Sequence, residues 1–181
     1  MLLEINRTTN YTNYLLESIG YFVFILLVVL LNNQIETYEV NGTSMEPNYS
    51  DNSTVIIVKS HYTINRFDVI TFEASGHELL LKRVIGLPGE IITIANNKIY
   101  IDGEIIQENY IDSNIVKTRC FKSTNSDYCS YSIPKGYYFV LGDNRNGYAV
   151  PGLVSGVSVD SRTIGLVHQS QIDGKVIYNS K

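Results

Sequence analysis

The uncharged run IGYFVFILLVVLL, residues 19–31, places the strongest constraint on what this chain can fold into. Thirteen residues are too few to cross a bilayer, which needs about 20 apolar residues in a helix. Counting back to Tyr14 reaches roughly that length, with Glu17 near one end of the span. Tyrosines suited to an interfacial belt are Tyr11, Tyr14 and Tyr21. We therefore predict a transmembrane anchor helix over residues 14–32, preceded by a short segment of residues 1–13.

A cleaved signal peptide is the alternative interpretation of the same run. It would require a basic leading segment and a cleavage site of small residues. The first ten residues hold one Arg and one Glu, and NNQIETYEV follows the run without an A-x-A pattern. An uncleaved anchor is therefore favoured. Arg7 precedes the span and the next basic residue is Lys59, so the positive-inside bias predicts a cytoplasmic N-terminus and an extracytoplasmic body over residues 33–181.

Beyond the anchor, short runs of β-branched residues alternate with turn signals. Asp102-Gly103 is a strong hairpin signal, and Asn96-Asn97 is a second turn. No segment there keeps a 3.6-residue period over ten residues, which argues against long helices. We predict a mainly antiparallel β body of barrel-like or folded-sheet form, with a polar insertion at about 104–133. Strands are predicted at 54–60, 68–73, 78–86, 90–95, 137–142 and 163–168. Two more, at 99–102 and 104–108, flank the Asp102-Gly103 turn as a hairpin.

Charge and cysteine content exclude two classes of function. The formal net charge is -4 and no basic patch is visible, which argues against nucleic-acid binding. Cys120 and Cys129 lie in a polar stretch without a CxxC pattern or a nearby His, so no metal site is predicted. The two cysteines form either a small disulfide ring, which fits an oxidising compartment, or two unpaired loop thiols.

Ser44 lies in NGTSMEP, residues 41–47, where a turn serine is the plain interpretation. A nucleophilic serine needs a base within about 2.6–3.2 Å. Lys82 is a candidate base because it is surrounded by apolar residues in ELLLKRVIGLPGE, and burial lowers the pKa of a lysine. Its alternative is an edge-strand lysine whose head reaches water. The histidines occupy polar or strand-end settings and are interpreted as surface or loop residues: His61, His77 and His168.

Three stretches occur together in one order: SMEP (44–47), KRVIGLPGE (82–90), and GDNR (142–145) followed by SVDSR (158–162). Together they resemble the motifs of bacterial type I signal peptidases, which are membrane-anchored serine proteases. The resemblance spans about residues 15 to 167, and the single anchor resembles the Gram-positive form. It implies a single-pass cell-membrane protein with a β catalytic domain outside. That domain would cleave signal peptides from exported preproteins without a metal or cofactor.

The resemblance also implies roles for individual residues. Ser44 would be the nucleophile and Lys82 the general base, acting through an acyl-enzyme. Ser158 would hydrogen-bond Lys82 and orient it. In the family, the residue two positions before the nucleophile helps to hold the oxyanion, and that position here is Gly42. Because glycine has no hydroxyl, the oxyanion hole would depend on backbone N–H groups or water. An ion-pair network behind the site would involve Arg83, Asp143, Asp160 and Arg162, for which four solvated surface charges are the alternative.

The resemblance also implies where side chains of the substrate bind. Pockets for small side chains at positions -1 and -3 would be lined by Met45, Tyr38, Val40, Val55 and Leu81. The segment 146–159 is longer than the corresponding segment of the family, which indicates an inserted loop at 146–157 beside the site.

Two alternative functions are open. One is a non-enzymatic factor for assembly of surface fibres (pili). Surface or pilus proteins could instead be substrates of the protease. The other is a self-cleaving Ser/Lys repressor, which would need an N-terminal DNA-binding domain that this sequence lacks.

Overall fold

The computed structural model describes residues 3–32, 34–76, 78–112, 116–120, 128–145 and 158–180. The chain divides into two compact units, Met1–Glu36 and Thr37–Lys181. The first unit is dominated by helix α1, Leu3–Asn32. Within α1, the segment Tyr11–Val29 is long and apolar enough to cross a membrane, and none of it is buried against protein. A helix whose apolar side chains have no protein partner is suited to a lipid environment.

The second unit is mainly antiparallel β, which confirms the predicted fold class. In chain order the described strands are β1 Ile35–Glu39, β2 Thr54–Val58, β3 Val69–Glu73, β4 Leu79–Gly86, β5 Ile91–Ala95, β6 Lys98–Ile101, β7 Glu104–Ile105, β8 Tyr128–Ser132, β9 Tyr137–Leu141, β10 Val167–His168 and β11 Ile172–Asn179. Seven of these strands form one sheet in the order β1-β2-β11-β3-β4-β9-β10, and the other four form a second sheet in the order β7-β6-β5-β8. Between β9 and β10 lies the short helix α2, Ser161–Ile164, and a 3-10 turn, Gln169–Gln171, precedes β11.

Five of the six strands predicted outside the hairpin are observed with ends shifted by at most two residues, and both predicted turns join paired strands. In the hairpin, the strand predicted at 99–102 is observed as β6, whereas only the first two residues of 104–108 form a strand, β7. The prediction over 163–168 is wrong for its first half. Asp160 caps α2 by accepting the backbone N–H of Arg162, while Thr163 Oγ1 accepts the N–H of Asp160. Such a capping box starts a helical turn at an acidic residue. Local capping therefore outweighs β propensity here, and only Val167–His168 forms a strand.

Strand β11 was not predicted, although it lies between β2 and β3 in the larger sheet. Its Asp173-Gly174 pair has the composition of a turn, which hides the strand. Gly174 serves a different purpose, because a Cβ there would lie 2.5 Å from Ile57 Cδ1 and 2.9 Å from the Val58 carbonyl oxygen. A glycine inside a strand marks such a close approach of backbone. Strands β1 and β8 were also missed. In both, exposed residues alternate with partly buried ones, so neither contains a run of buried apolar residues.

Strands β4 and β9 are buried on both faces, and β4 carries Lys82. Val84 and Val140 belong to one apolar core, while Ile85 and Leu141 belong to the other. The two strands pair with Arg83 opposite Leu141, and β3 pairs on the other side of β4 with Ile70 opposite Lys82. Any polar side chain in this part of β4 is therefore surrounded by protein.

The predicted polar insertion at 104–133 contains β7 and β8, which complete the four-stranded sheet, so part of it is regular structure. Its residues 113–115 and 121–127 lie outside the described part. A disulfide joins Cys120 to Cys129. Both sulfurs pack against the core of this sheet, and Cys129 pairs with Ile94 across β5 and β8. The alternative of two unpaired thiols does not hold in this structure.

Replacing both cysteines, Cys120→Ser with Cys129→Ser, is expected to lower the free energy of unfolding by about 2–3 kcal/mol. Closing a ring between residues nine positions apart restricts the unfolded chain by roughly that amount. Urea unfolding of the full chain in detergent micelles measures the change. Adding a thiol reductant should shift the unfolding midpoint of the wild type and leave the double variant unaffected. Equal midpoints for wild type and variant under oxidising conditions would contradict the expectation.

Candidate active site

Ser44 and Lys82 meet in the second unit. The Ser44 hydroxyl oxygen lies 2.8 Å from Lys82 Nζ, although the residues are 38 positions apart. Lys82 projects from the centre of β4 and is 2% exposed. Ser44 lies in the loop between β1 and β2, where the N–H of Glu46 donates to the Thr43 carbonyl and the N–H of Tyr49 donates to the Met45 carbonyl. The loop is indeed a turn, and it presents its serine to a buried lysine.

The environment of Lys82 disfavours its charged form. Burial lowers the pKa of Lys82 from its ordinary 10.5 to about 8, while Asp160 and Asp143 act in the opposite direction. These carboxylates only partly offset the burial, since each is paired with its own arginine. Lys82 Nζ also donates to the Leu81 carbonyl at 2.7 Å, which holds the amine in place. An amine with this pKa is partly neutral near pH 7 and can accept a proton.

The four charged residues expected behind the site form two buried bidentate pairs. Arg83 donates to both oxygens of Asp143 at 2.8 and 2.6 Å. Arg162 donates to both oxygens of Asp160 at 2.9 and 2.7 Å. The backbone N–H of Gly142 links the pairs by donating to Asp160 at 3.3 Å. All four side chains are buried, so the interpretation as solvated surface charges is wrong.

Ser158 does not make the hydrogen bond expected of it. Within the described residues its hydroxyl is buried and has no hydrogen-bond partner. Lys82 instead directs its bonds to Ser44 and to the Leu81 carbonyl. Ser158 does lie close to the site, because a Cβ at Gly142 would come within 2.1 Å of its hydroxyl and 2.5 Å of the Ser44 carbonyl oxygen. The absence of a side chain at Gly142 is what allows these segments to approach.

Gly42 supplies neither a side chain nor a free N–H to the site. Its φ of +91° is in the left-handed region that favours glycine, and a Cβ there would meet no atom within 4 Å. Its N–H donates to Asp51 Oδ1 at 2.6 Å. A hole built on the N–H of Gly42 is therefore inconsistent with this conformation.

A cavity of about 260 Å³ adjoins Ser44 and Lys82. All five residues predicted to contact substrate line it: Tyr38, Val40, Met45, Val55 and Leu81. The strand residues Leu79 and Leu80 and the buried Thr71 add to its walls and were not predicted. Leucine and threonine are ordinary residues of a strand, so no sequence signal distinguishes these positions.

The contacts of Asn144 and Arg145 were also missed. Arg145 is buried and donates to Glu108 at 2.5 Å and to Thr118 at 2.7 Å. Asn144 contacts the loop that carries Ser44. The GDNR pattern draws attention to these positions, but the partners named here lie 27 to 101 residues away in the chain.

The described residues contain no cluster of three or more His, Cys, Asp or Glu able to hold a metal ion.

Comparison with known proteins identifies the class to which this fold and site belong. The model of the family "Signal peptidase, peptidase S26" matches residues 13–179. The chain is 31% identical over 166 residues to signal peptidase I V of Bacillus subtilis (strain 168), covering 87% of this chain and 92% of that protein. It is 32% identical over 167 residues to signal peptidase IB of Staphylococcus aureus (strain N315), covering 86% and 82%. The chain therefore belongs to the signal peptidase family, peptidase S26.

A crystal structure of a signal peptidase I from Enterococcus faecalis V583 matches with a TM-score of 0.48 and 31% identity, covering 66% of this chain and 100% of that chain. The resemblance drawn from the three motifs is confirmed by the family match and by the two relatives. The chain is therefore a type I signal peptidase, which is a membrane-anchored serine endopeptidase with its catalytic domain on the extracytoplasmic side.

Replacing the buried lysine, Lys82→Met, is expected to stabilise the protein at pH 7 by about 1–3 kcal/mol. Folding lowers the pKa of Lys82 to about 8, so a protonated Lys82 reduces the free energy of unfolding. This penalty is fully present below pH 8 and disappears as pH rises to 10.5, the ordinary pKa of lysine. The advantage of the variant should therefore shrink between pH 8 and 10.5. Urea unfolding at several pH values measures it.

The control is Lys98→Met, which removes an exposed strand lysine. It should show no pH-dependent difference from wild type over this range. A Lys82→Met protein less stable than wild type at pH 7, with a difference that does not change with pH, would contradict the expected penalty.

Proposed function

We propose that this chain is a membrane-anchored serine endopeptidase that removes signal peptides from preproteins, with Ser44 as nucleophile and Lys82 as general base. The observation that carries this proposal is the 2.8 Å contact between the Ser44 hydroxyl and a buried lysine amine. A serine attacks a carbonyl only when a group within hydrogen-bond reach takes its proton. The relatives named above are signal peptidases, which identifies the substrate as the signal peptide of a preprotein.

Acylation uses Lys82 twice. Neutral Lys82 takes the proton from the Ser44 hydroxyl as its oxygen attacks the carbonyl carbon of the substrate residue at -1. The tetrahedral oxyanion then collapses, the peptide bond breaks, and the Lys82 ammonium returns its proton to the departing amine. The products of this step are an ester between Ser44 and the signal peptide, and the free amino terminus of the mature protein.

Deacylation repeats the sequence with water. Lys82, neutral again, takes a proton from a water molecule that attacks the ester carbonyl. Collapse of this second intermediate releases the signal peptide carboxylate, and the proton on Lys82 returns to the Ser44 oxygen. Asp160 and Asp143 favour the transient ammonium because they raise the pKa of Lys82 against its burial. Their own arginine partners keep them from pairing with the amine permanently.

The cleft favours small side chains at positions -1 and -3. Alternate residues of an extended peptide point to one face, so these two positions face the enzyme together. The cavity of about 260 Å³ lies at the small end of ligand pockets, and its walls include the apolar residues Val40, Val55 and Leu81. Alanine at both positions fits such a surface, and a preference for small residues there is what the family resemblance implies.

The anchor restricts the enzyme to the membrane where its substrates arrive. Signal peptides are apolar segments held in the bilayer, and the segment Tyr11–Val29 is able to span the same layer. The proposed organisation is a cytoplasmic segment over 1–13, a span over 14–32 and an extracytoplasmic body over 33–181. The loop at 146–157 lies outside the described residues, so its contribution to the cleft stays a prediction.

The non-enzymatic role in surface-fibre assembly is disfavoured. A scaffold protein gains nothing from a lysine buried beside a serine, since burial of an amine costs free energy. Surface or pilus proteins can still be among the substrates, because any exported preprotein with small residues at -1 and -3 meets the requirements of the cleft.

Ser44→Ala and Lys82→Ala are each expected to lower the cleavage rate by at least about 10³-fold, because members of a nucleophile–base pair act as a unit. The assay uses the full chain in detergent micelles and a peptide with Ala-x-Ala before the scissile bond. Product formation is followed by mass spectrometry, and circular dichroism verifies folding.

The matched controls are Ser50→Ala, an exposed serine near Ser44, and Lys98→Ala, an exposed strand lysine. Both should cleave at the wild-type rate. Cleavage by Ser44→Ala at the wild-type rate would rule out the mechanism proposed.

A further inference from the structure

Asn144 contacts the chain on both sides of Ser44. Its backbone N–H donates to the Ser44 carbonyl at 3.1 Å. Its side-chain amide donates to the Thr43 carbonyl, also at 3.1 Å. The Thr43 carbonyl and the Ser44 N–H belong to one peptide group, and the Ser44 carbonyl belongs to the next. A single residue therefore holds both peptide groups that flank the Cα atom of the nucleophile.

The contact to Thr43 determines where the Ser44 N–H points. A trans peptide group is planar, so its C=O and N–H point in opposite directions. Fixing the Thr43 oxygen fixes the direction of the Ser44 N–H with it. Within the described residues this N–H meets no acceptor, whereas the N–H of Gly42 is bound to Asp51 and that of Glu46 to Thr43. The Ser44 N–H is thus available to a substrate.

Asn144 also relates the nucleophile loop to the strand that carries the base. The bond from Glu46 to Thr43 closes the loop on itself and cannot set its position relative to Lys82. Asn144 follows β9, which pairs with β4 next to Lys82. Its neighbour Asp143 holds Arg83 of β4 in a buried ion pair. The side-chain bond of Asn144 is therefore a link between Thr43 and the β4 strand.

The segment that carries Asn144 is held firmly on both sides. Asp143 and Arg145 are both buried and ion-paired, to Arg83 and Glu108 respectively. Arg145 also donates to the Gly142 carbonyl at 2.8 Å, which closes the segment on itself. A group on such a rigid segment can orient a partner, because it does not adjust when that partner moves.

We infer that Asn144 is a positioning residue that aims the Ser44 backbone N–H at the oxyanion formed during cleavage. The inference rests on the proposed function of Ser44. A donor aimed at a charge that develops only in the transition state accelerates the reaction without tightening substrate binding. A hydrogen bond to the Thr43 oxygen also polarises the peptide group and strengthens its N–H as a donor. Loss of the Asn144 side chain should therefore lower kcat more than it changes KM.

The test compares Asn144→Ala and Asn144→Asp with wild type in the cleavage assay. Asn144→Ala removes the side-chain donor and keeps the backbone bond to Ser44. Asn144→Asp keeps the size of the side chain but replaces its donor with an acceptor that faces the Thr43 oxygen. We expect kcat to fall at least about 10-fold in both variants, with KM within about twofold of wild type.

A transition-state readout separates orientation from general destabilisation. A peptide aldehyde ending in Ala forms a bond from its carbonyl carbon to the Ser44 oxygen, and its carbonyl π electrons become an oxyanion while Lys82 takes the serine proton. Affinity for this probe should fall by the same factor as kcat/KM in both Asn144 variants. The control is Asn65→Ala, which removes a side-chain amide bond to the Thr63 carbonyl elsewhere in the body and should match wild type in every measurement.

Wild-type kcat in Asn144→Asp, or a fall in kcat with unchanged affinity for the aldehyde, would overturn the inference. Failure of the underlying mechanism is recognised separately, because Ser44→Ala would then still cleave. An inactive Ser44→Ala together with fully active Asn144 variants would refute the role of Asn144 alone.

Discussion

The contact between Ser44 and Lys82 depends on keeping an amine out of water, and much of the surrounding structure contributes to that. Lys82 is 2% exposed and lies between two neighbouring strands of the larger sheet. In water a lysine would be protonated and useless as a base at neutral pH. Burial brings the pKa to about 8. In the proposed mechanism, the unfavourable burial of a polar group is what makes Lys82 a base for Ser44.

The neighbouring charges show how this burial is tolerated. Asp143 and Asp160 are near enough to raise the pKa of Lys82 against its burial, and an unpaired carboxylate at such a position would hold the lysine as an ammonium. Each is instead neutralised by a bidentate arginine, Arg83 or Arg162. Buried pairs of this kind seldom add much stability. Their effect here is to join β4, the GDNR segment and α2 into one frame without fixing the proton on Lys82.

Local patterns predicted the parts of this structure that local interactions determine. Alternating β-branched runs and Asp102-Gly103 indicated the strands and hairpin, whereas the apolar setting of Lys82 left both burial and an edge-strand position open. The motif resemblance brought Ser44 and Lys82 together, which no local rule could have done. Helix α2 was missed because capping at Asp160 outweighed β propensity, and β11 was missed because Asp173-Gly174 has the composition of a turn.

The contacts that were not predicted join residues far apart in the chain. The bond from Asn144 to Thr43 spans 101 residues, and that from Arg145 to Glu108 spans 37. Neither polar partner differs in sequence from an ordinary loop residue. For Ser158 the error was a predicted contact that is absent. The family pattern implied a hydrogen bond between Ser158 and Lys82, but Lys82 donates to the Leu81 carbonyl instead. Side-chain direction in a packed site depends on competition among neighbours, and a motif does not record it.

A direct titration of Lys82 tests the central claim that this lysine is a base because it is buried. The full chain, labelled with 13C at the lysine ε carbons, is followed by NMR in detergent micelles as pH rises. The Lys82 signal is assigned by its loss in Lys82→Met. The account predicts a midpoint near pH 8, below the ordinary lysine value of 10.5. A midpoint at 10.5 would mean that Lys82 is an ordinary ammonium at neutral pH, and it would contradict the account.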